Sequence, residues 1–159
     1  MKTNKYLREL GYEWYDMPGS YIDENTAKKL GNDNKTSGCL ASDCRNEEDE
    51  EGFCDYEFFN LDNTLSLYIY SKMCYFRDNI ANICTPGCLS SFNTSTLDKK
   101  EKEKISKEGH KKWLEIINKI CEAFKLKITG ERKGYEGIDG ETIREGMQLF
   151  IEYYDCLWY

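Results

Sequence analysis

The chain has 159 residues and a formal net charge of −7 at pH 7, and its composition is 32% charged and 14% aromatic. This length suits a single domain with its own core, and the acidic balance argues against direct binding to nucleic acid, because neutralising phosphates requires a surplus of Lys and Arg. No window approaches ~18 consecutive apolar residues, and the first residues lack the apolar run of a signal peptide. We therefore expect one domain, residues 1–159, in the cytoplasm and without a membrane partner.

The first third of the chain predicts short helices followed by a long loop. Thr3 can cap a helix that ends near Leu10, where Gly11 provides the stop, and a second short helix is expected around residues 23–30. Residues 31–57 are rich in turn formers and acidic side chains and predict an exposed loop with a solvated surface. An acidic loop that faces a partner is the alternative. Three cysteines occur in this loop: Cys39, Cys44 and Cys54.

The remainder, residues 58–159, predicts a mostly α core that is an antiparallel bundle of three main helices. The first helix is expected to begin near Asp62, and the second is charged at its start and amphipathic from Trp113 onward. A glycine-rich loop is expected from Ile128 to Gly140. Apolar residues form one stripe on the first helix at Leu65, Ile69, Met73, Phe76 and Ile80, and a second stripe at Leu67, Tyr70 and Cys74.

The last helix, expected from Glu141 to Trp158 with Asp139 as its N-cap, is predicted to be the centre of the bundle. One face carries Ile143, Met147, Phe150, Tyr154 and Leu157, and the residues beside it are Gly146, Leu149 and Tyr153. A helix that is apolar over most of its circumference is typical of one packed between neighbouring helices.

The eight cysteines are expected to be reduced thiols, because disulfides are rare in a reducing compartment. Cys74, Cys121 and Cys156 lie in helical patterns, where cysteine packs as a small apolar residue. A structural zinc is the alternative, because two spacings fall in the range used by zinc knuckles: Cys39 with Cys44, and Cys84 with Cys88. We favour the thiol interpretation and assign no metal and no cofactor.

The sequence carries no catalytic motif of a familiar kind. It lacks the phosphate-binding glycine loop, the G-x-S-x-G elbow and the H-E-x-x-H pattern. The single histidine, His110, is expected to be a surface residue among lysines. A carboxylate metal site built from Glu145 and Glu152 with Glu115 or Glu122 is a less favoured option, because the E-x-x-H signature of such bundles is missing. We therefore assign no catalytic residue and expect a binding protein rather than an enzyme.

Aromatic residues crowd both ends of the chain, and a few cations accompany them. Aromatic walls with Arg or Lys suit stacking on a nucleobase and pairing with phosphate, although such aromatics also build ordinary cores. The candidate ligand-binding residues are Lys72, Arg77, Lys119, Arg132, Arg144, Tyr154 and Trp158.

Three segments together resemble a family of small accessory proteins from tailed phages and prophages of gut Firmicutes. They are the FNLDNTL stretch at residues 59–65, WLEIINKI at 113–120 and GMQLFIEYY at 146–154. This chain has Ser71-Lys72 where the family usually has a Pro-Arg step, and Lys111 and Lys112 where the family has glutamates. The resemblance implies a phage accessory protein that acts on the host or its defences, and it implies no mechanism.

Three hypotheses of function follow from these observations. The first is non-catalytic sequestration of a small nucleotide that serves as a host immune signal. The second is inhibition of a host defence protein by an acidic surface, in the manner of anti-CRISPR proteins. The third is an enzyme that degrades such a signal. The expected partner is a small nucleotide or a host defence protein, and association of the chain with itself as a homo-oligomer is an additional option.

Overall fold

The computed structural model describes residues 5–12, 61–90 and 97–157. Helices make up 78% of these residues and no strand occurs among them, which confirms the mostly α fold class. Within the same ranges no helix is both long enough and apolar enough to cross a membrane. The expected second short helix and the acidic loop at 31–57 lie outside the described residues, and the three-helix bundle stays a prediction.

The chain divides into two compact units, Met1–Ser71 and Lys72–Tyr159. In the first unit, helix α1 spans Lys5–Glu9 and carries the buried residues Tyr6 and Leu7. Gly11 follows with φ of 80°, a conformation that glycine adopts without the steric cost of a Cβ. The predicted short helix and its glycine stop are therefore confirmed.

Helix α2, Leu61–Phe76, crosses the boundary between the two units and continues into a π-helical turn, Arg77–Ala81. The predicted start near Asp62 is confirmed, since Asp62 lies in its first turn. The predicted burial of the first stripe is wrong at Leu65, which is 48% exposed, whereas Leu67 of the second stripe is fully buried. Later in the first stripe, Met73 and Phe76 are buried, so the exposure at Leu65 is confined to the start of the helix.

Helix α3, Lys99–Lys133, is the longest described element, and Asp98 caps it. The Asp98 carboxylate accepts from the Glu101 backbone N–H at 2.8 Å, and the Glu101 side chain accepts in return from the Asp98 N–H. These reciprocal bonds form a capping box that satisfies two orphan donors of the first turn.

The loop predicted from Ile128 to Gly140 is partly wrong, because the first residues of that range belong to α3. Ile128 is fully buried and extends the apolar face that Phe124 carries one turn earlier. Gly130 remains helical, and a Cβ there would lie 2.8 Å from Cζ of the Tyr135 ring. The glycine therefore makes room for the tyrosine of the following loop instead of ending the helix.

Helix α4, Gly140–Glu152, is followed by a 3-10 turn, Tyr154–Cys156. The predicted cap is confirmed, because the Asp139 carboxylate accepts from the Glu141 backbone N–H at 3.0 Å. The prediction that this helix is the centre of the bundle, packed between neighbouring helices, is wrong, since among its residues only Gly146 is buried and Ile151 is 76% exposed. Helix α3 supplies most of the buried apolar side chains of the second unit instead: Trp113, Ile116, Ile117, Ile120, Cys121, Ala123, Phe124 and Ile128.

Helices α3 and α4 pack against each other in opposite directions. At the middle of α4, Gly146 contacts the Ala123 side chain and the Lys119 carbonyl of α3. At the end of α4, the Tyr153 ring lies 5.9 Å from the Trp113 ring, which is earlier in α3. Contacts that progress in opposite senses along two helices define an antiparallel pair, and the missing Cβ of Gly146 permits the close approach.

Candidate functional site

The segment between the π-helical turn and α3 is anchored on α3 at two adjacent residues. The backbone carbonyl of Leu89 lies against Gly109, where any Cβ would collide with it. Next to this contact, His110 Nδ1 and Thr85 Oγ1 are 2.9 Å apart, and His110 is half-buried. His110 is therefore partly exposed, and its ring forms a long-range hydrogen bond with Thr85 that holds this segment against α3.

The C-terminal end of α4 exposes apolar side chains next to acidic ones. Ile151 is 76% exposed and Tyr154 is 63% exposed, although the Phe150 ring contacts the Tyr154 ring at 5.8 Å. Glu152 directly follows Ile151 in the sequence, Asp155 directly follows Tyr154, and both acidic side chains are exposed. Residues three apart on a helix or 3-10 turn are neighbours, which pairs Ile151 with Tyr154 and Glu152 with Asp155. We call these four exposed residues the C-terminal surface.

Three of the five predicted cations bind carboxylates of the same chain. Arg77 Nε donates to Asp78 at 2.8 Å, and this hydrogen bond raises the pKa of the guanidinium. Lys119 Nζ donates to Glu145 Oε1 at 2.6 Å. Arg144 donates to Glu141, which likewise raises the pKa of the Arg144 guanidinium. A phosphate ligand would have to compete with these carboxylates for each cation.

The remaining candidates do not gather around one point. Lys119 and Arg132 both lie on α3, about 20 Å apart along the helix axis at a rise of ~1.5 Å per residue. One mononucleotide therefore cannot contact both. Lys72 is exposed on α2, and Trp158 lies outside the described residues. Lys119 and Arg144 pair with Glu145 and Glu141 of α4, two carboxylates that are one helical turn apart.

Four of the five described cysteines form two thiol–thiol pairs. Cys74 and Cys121 are 2% and 3% exposed, and their mutual hydrogen bond together with burial raises the pKa of the Cys121 thiol. This bears out the expectation that both cysteines pack as small apolar residues. Cys88 Sγ and Cys156 Sγ are 3.9 Å apart at the surface. Burial and the Cys88 contact raise the pKa of the Cys156 thiol.

Three of the four carboxylates proposed as an alternative metal site form ion pairs with lysines. Glu145 pairs with Lys119, Glu122 with Lys125 at 3.1 Å, and Glu115 with Lys111 at 3.9 Å. Among residues 5–12, 61–90 and 97–157, no group of three or more His, Cys, Asp or Glu side chains is placed to hold a metal ion.

Sequence analysis identified Tyr154 but missed Ile151 and the pairing of Cys88 with Cys156. Ile151 could have been found by its position, since it falls on the charged face of α4 with Arg144 and Gln148. No sequence signal could have paired the two cysteines, because their proximity depends on how separate elements pack. In comparisons with protein-family models, curated proteins and solved structures, nothing matched the chain.

Proposed function

We propose that this chain is a phage accessory protein that inhibits a host defence protein by binding it through the C-terminal surface, in the bacterial cytoplasm. The exposure of Ile151 and Tyr154 beside Glu152 and Asp155 supports this proposal. Adjacent exposed large apolar side chains with charged neighbours are characteristic of protein-binding sites. The resemblance to phage accessory proteins supplies the setting.

Charge indicates the kind of partner that this surface would bind. The whole chain carries −7, and both polar residues of the C-terminal surface are acidic. A partner with an apolar pocket surrounded by Lys and Arg would accept Ile151 and Tyr154 and pair with the two carboxylates. This arrangement corresponds to the acidic inhibitor among the hypotheses from sequence, although the acidic residues concerned lie outside the loop at 31–57.

The paired state of the cations makes this hypothesis better supported than nucleotide sequestration. Arg77, Lys119 and Arg144 each donate to a carboxylate, so a phosphate at any of them has to compete with that carboxylate for the cation. Protein binding through Ile151 and Tyr154 breaks none of these contacts. The buried apolar area would supply the favourable free energy.

The test is infection of bacteria that each carry one defence system and express the wild-type chain or a variant. We expect the wild type to raise the plating efficiency of a sensitive phage in one such strain, and Ile151→Asp to abolish the increase. Ile83→Asp is the matched control, because Ile83 is 78% exposed but lies outside the C-terminal surface. Full protection by Ile151→Asp, or loss of protection only with Ile83→Asp, would contradict the proposal.

Nucleotide sequestration is the second candidate, and the exposed ring of Tyr154 together with the exposed Arg144 guanidinium favours it. Native mass spectrometry of the purified chain with a panel of cyclic and linear oligonucleotide signals tests it. A bound nucleotide that is lost with Tyr154→Ala or Arg144→Ala and is recovered intact after heating would establish this function. Recovery of a cleaved nucleotide would instead indicate the enzyme, the third hypothesis.

A further inference from the structure

Two cysteines that are far apart in the sequence meet at the surface of the second unit. Cys88 Sγ lies 3.9 Å from Cys156 Sγ, and both side chains are free thiols. Cys88 is exposed and Cys156 is partly exposed. A pair at this separation needs only small rotations about the Cα–Cβ bonds to reach the bonding distance of a disulfide, ~2.05 Å.

Each thiol is carried by a segment that is fixed independently of the other. On the Cys88 side, Leu89 packs on Gly109 and Thr85 contacts His110. On the Cys156 side, the Cys156 N–H donates to the Tyr153 carbonyl at 2.9 Å, and the Tyr153 ring packs on Trp113. Both anchors end on α3, so α3 sets the distance between the thiols.

The second thiol pair of the same unit differs only in access to solvent. Cys74 and Cys121 are almost completely buried, and a reagent in solution cannot reach them without opening the fold. Surface thiols in contact with a partner thiol are the ones that undergo exchange, whereas buried thiols are inert. We therefore expect Cys88 and Cys156 to react with a small disulfide in solution, and the buried pair Cys74 and Cys121 to stay unreacted as an internal control.

We propose that Cys88 and Cys156 are a reversible dithiol–disulfide pair, oxidised by thiol–disulfide exchange with a low-molecular-weight disulfide. The Cys88 thiolate attacks one sulfur of the small disulfide, which forms a mixed disulfide and releases one small thiolate. Cys156 then loses its proton to solvent, and its thiolate attacks Cys88 Sγ and expels the second small thiol. Two protein thiols are oxidised and one small disulfide is reduced to two thiols, so atoms and electrons balance.

The order of attack follows from the environments of the two sulfurs. Cys88 is the more exposed, so it meets the small disulfide first. The raised pKa of Cys156 keeps that thiol protonated at neutral pH, which slows the second step and makes the rate of crosslinking increase with pH. In a reducing compartment such bonds are transient and regulatory.

The experiment incubates the full-length chain, without denaturant, with glutathione buffers of increasing oxidised fraction. Free thiols are then blocked with an alkylating reagent, and the intact mass and the proteolytic peptides are measured. Relative to the reduced chain alkylated in the same way, we expect a mass lower by two S-alkyl groups, because the two disulfide-bonded sulfurs cannot take up the reagent. We also expect a peptide in which Cys88 is linked to Cys156. Cys84→Ser should leave this crosslink unchanged, whereas Cys88→Ser and Cys156→Ser should each abolish it.

Peptide mapping of the wild-type chain alone can support or overturn the proposed disulfide, so the test does not depend on the folding of any variant. A Cys88–Cys156 peptide that forms in native buffer and disappears on return to reduced glutathione establishes the pair. A link from Cys88 to Cys84 or to a cysteine at 39, 44 or 54 overturns the proposal. The accumulation of two glutathione adducts without a crosslink, or a crosslink that forms only in denaturant, overturns it equally.

Discussion

Gly146 is the residue at which α4 comes closest to α3. A Cβ placed there would lie 2.6 Å from the Lys119 carbonyl oxygen and still closer to Ala123 Cβ. Backbone and a short side chain cannot move aside as the end of a long side chain can. The absence of a side chain at Gly146 therefore permits the close approach of the two helices.

We predict that Gly146→Ala lowers the free energy of unfolding by about 1–3 kcal/mol, the usual cost of forcing a methyl group into a packed contact. Helix propensity by itself favours Ala over Gly by about 1 kcal/mol, so a loss of stability would mean that the steric cost of the methyl group exceeds this gain. Gly140→Ala is the control, because a Cβ there meets nothing within 4 Å. Urea denaturation measures both, and equal stability of the two variants would refute the close packing.

The buried thiol of Cys121 predicts a loss of stability at alkaline pH. Its pKa is raised by the hydrogen bond with Cys74 and by burial, whereas in the unfolded chain a cysteine ionises near pH ~8.5. Above that pH the unfolded state releases a proton that the folded state keeps. The contribution of this thiol is therefore complete below about pH 8.5 and is lost as pH rises, by at most ~1.4 kcal/mol per pH unit.

We expect the melting temperature of wild type to fall more steeply between about pH 8.5 and 10.5 than that of Cys121→Val, which lacks the titrating group. Cys84→Ala serves as the control because Cys84 is exposed. The slope for Cys84→Ala should equal that of wild type. Parallel curves for wild type and Cys121→Val would show that this thiol does not contribute.

At the scale of elements, α3 has the central role that the sequence suggested for α4. The reason for the error is visible in α4: Tyr154 belongs to the apolar face that the periodicity defines, but its side chain is 63% exposed. The periodicity of a sequence shows which face of a helix is apolar, but it does not show which of those side chains pack against another element. The same limitation explains Leu65, which belongs to a regular stripe and is still exposed.

Two isoleucines test this assignment directly. Ile128 of α3 is fully buried, so Ile128→Ala should lower the free energy of unfolding by about 2–4 kcal/mol. Ile151 of α4 is 76% exposed, so Ile151→Ala should change the free energy of unfolding by no more than about 0.5 kcal/mol. The chemical change is the same in both variants, and chemical denaturation compares them. A larger loss of stability for Ile151→Ala than for Ile128→Ala would contradict the assignment of α3 as the main source of buried apolar residues.

The sequence predicted the end of a helix correctly where the end depends on a contact or a backbone conformation within a single turn. Asp139 as a cap and Gly11 as a stop were both predictable for this reason. Gly130 misled the prediction, because its role depends on Tyr135, which returns from the next loop to cover it. The π-helical turn at Arg77–Ala81 has no comparable local signature.

At the scale of the whole molecule, charge is unevenly distributed along the sequence. Residues 99–112 contain seven lysines and three glutamates, although the chain as a whole carries −7. The first half of α3 is therefore basic, and acidic residues dominate elsewhere. The candidate cations could be identified by residue type, but their pairing with Asp78, Glu145 and Glu141 requires the fold.

Metal content is a property that must be measured on the whole chain, because Cys39, Cys44 and Cys54 lie outside the described residues. We predict less than stoichiometric zinc by elemental analysis and no change in melting temperature with a strong chelator. The physical reason is that Cys88 contacts another thiol at the surface instead of converging with further ligands. One zinc per chain that is lost with Cys84→Ser or Cys88→Ser would contradict this prediction.

Gly109 and Gly146 have a consequence for how this sequence can diverge during evolution. Each lies where another segment's backbone touches its helix, at Leu89 and at Lys119, so a larger residue at either position displaces main chain. The lysines of residues 99–112 are solvent-exposed and can be replaced by other polar residues without such a cost. A distant descendant would therefore keep two small residues at this separation, with buried apolar residues between them, after its surface had changed beyond recognition.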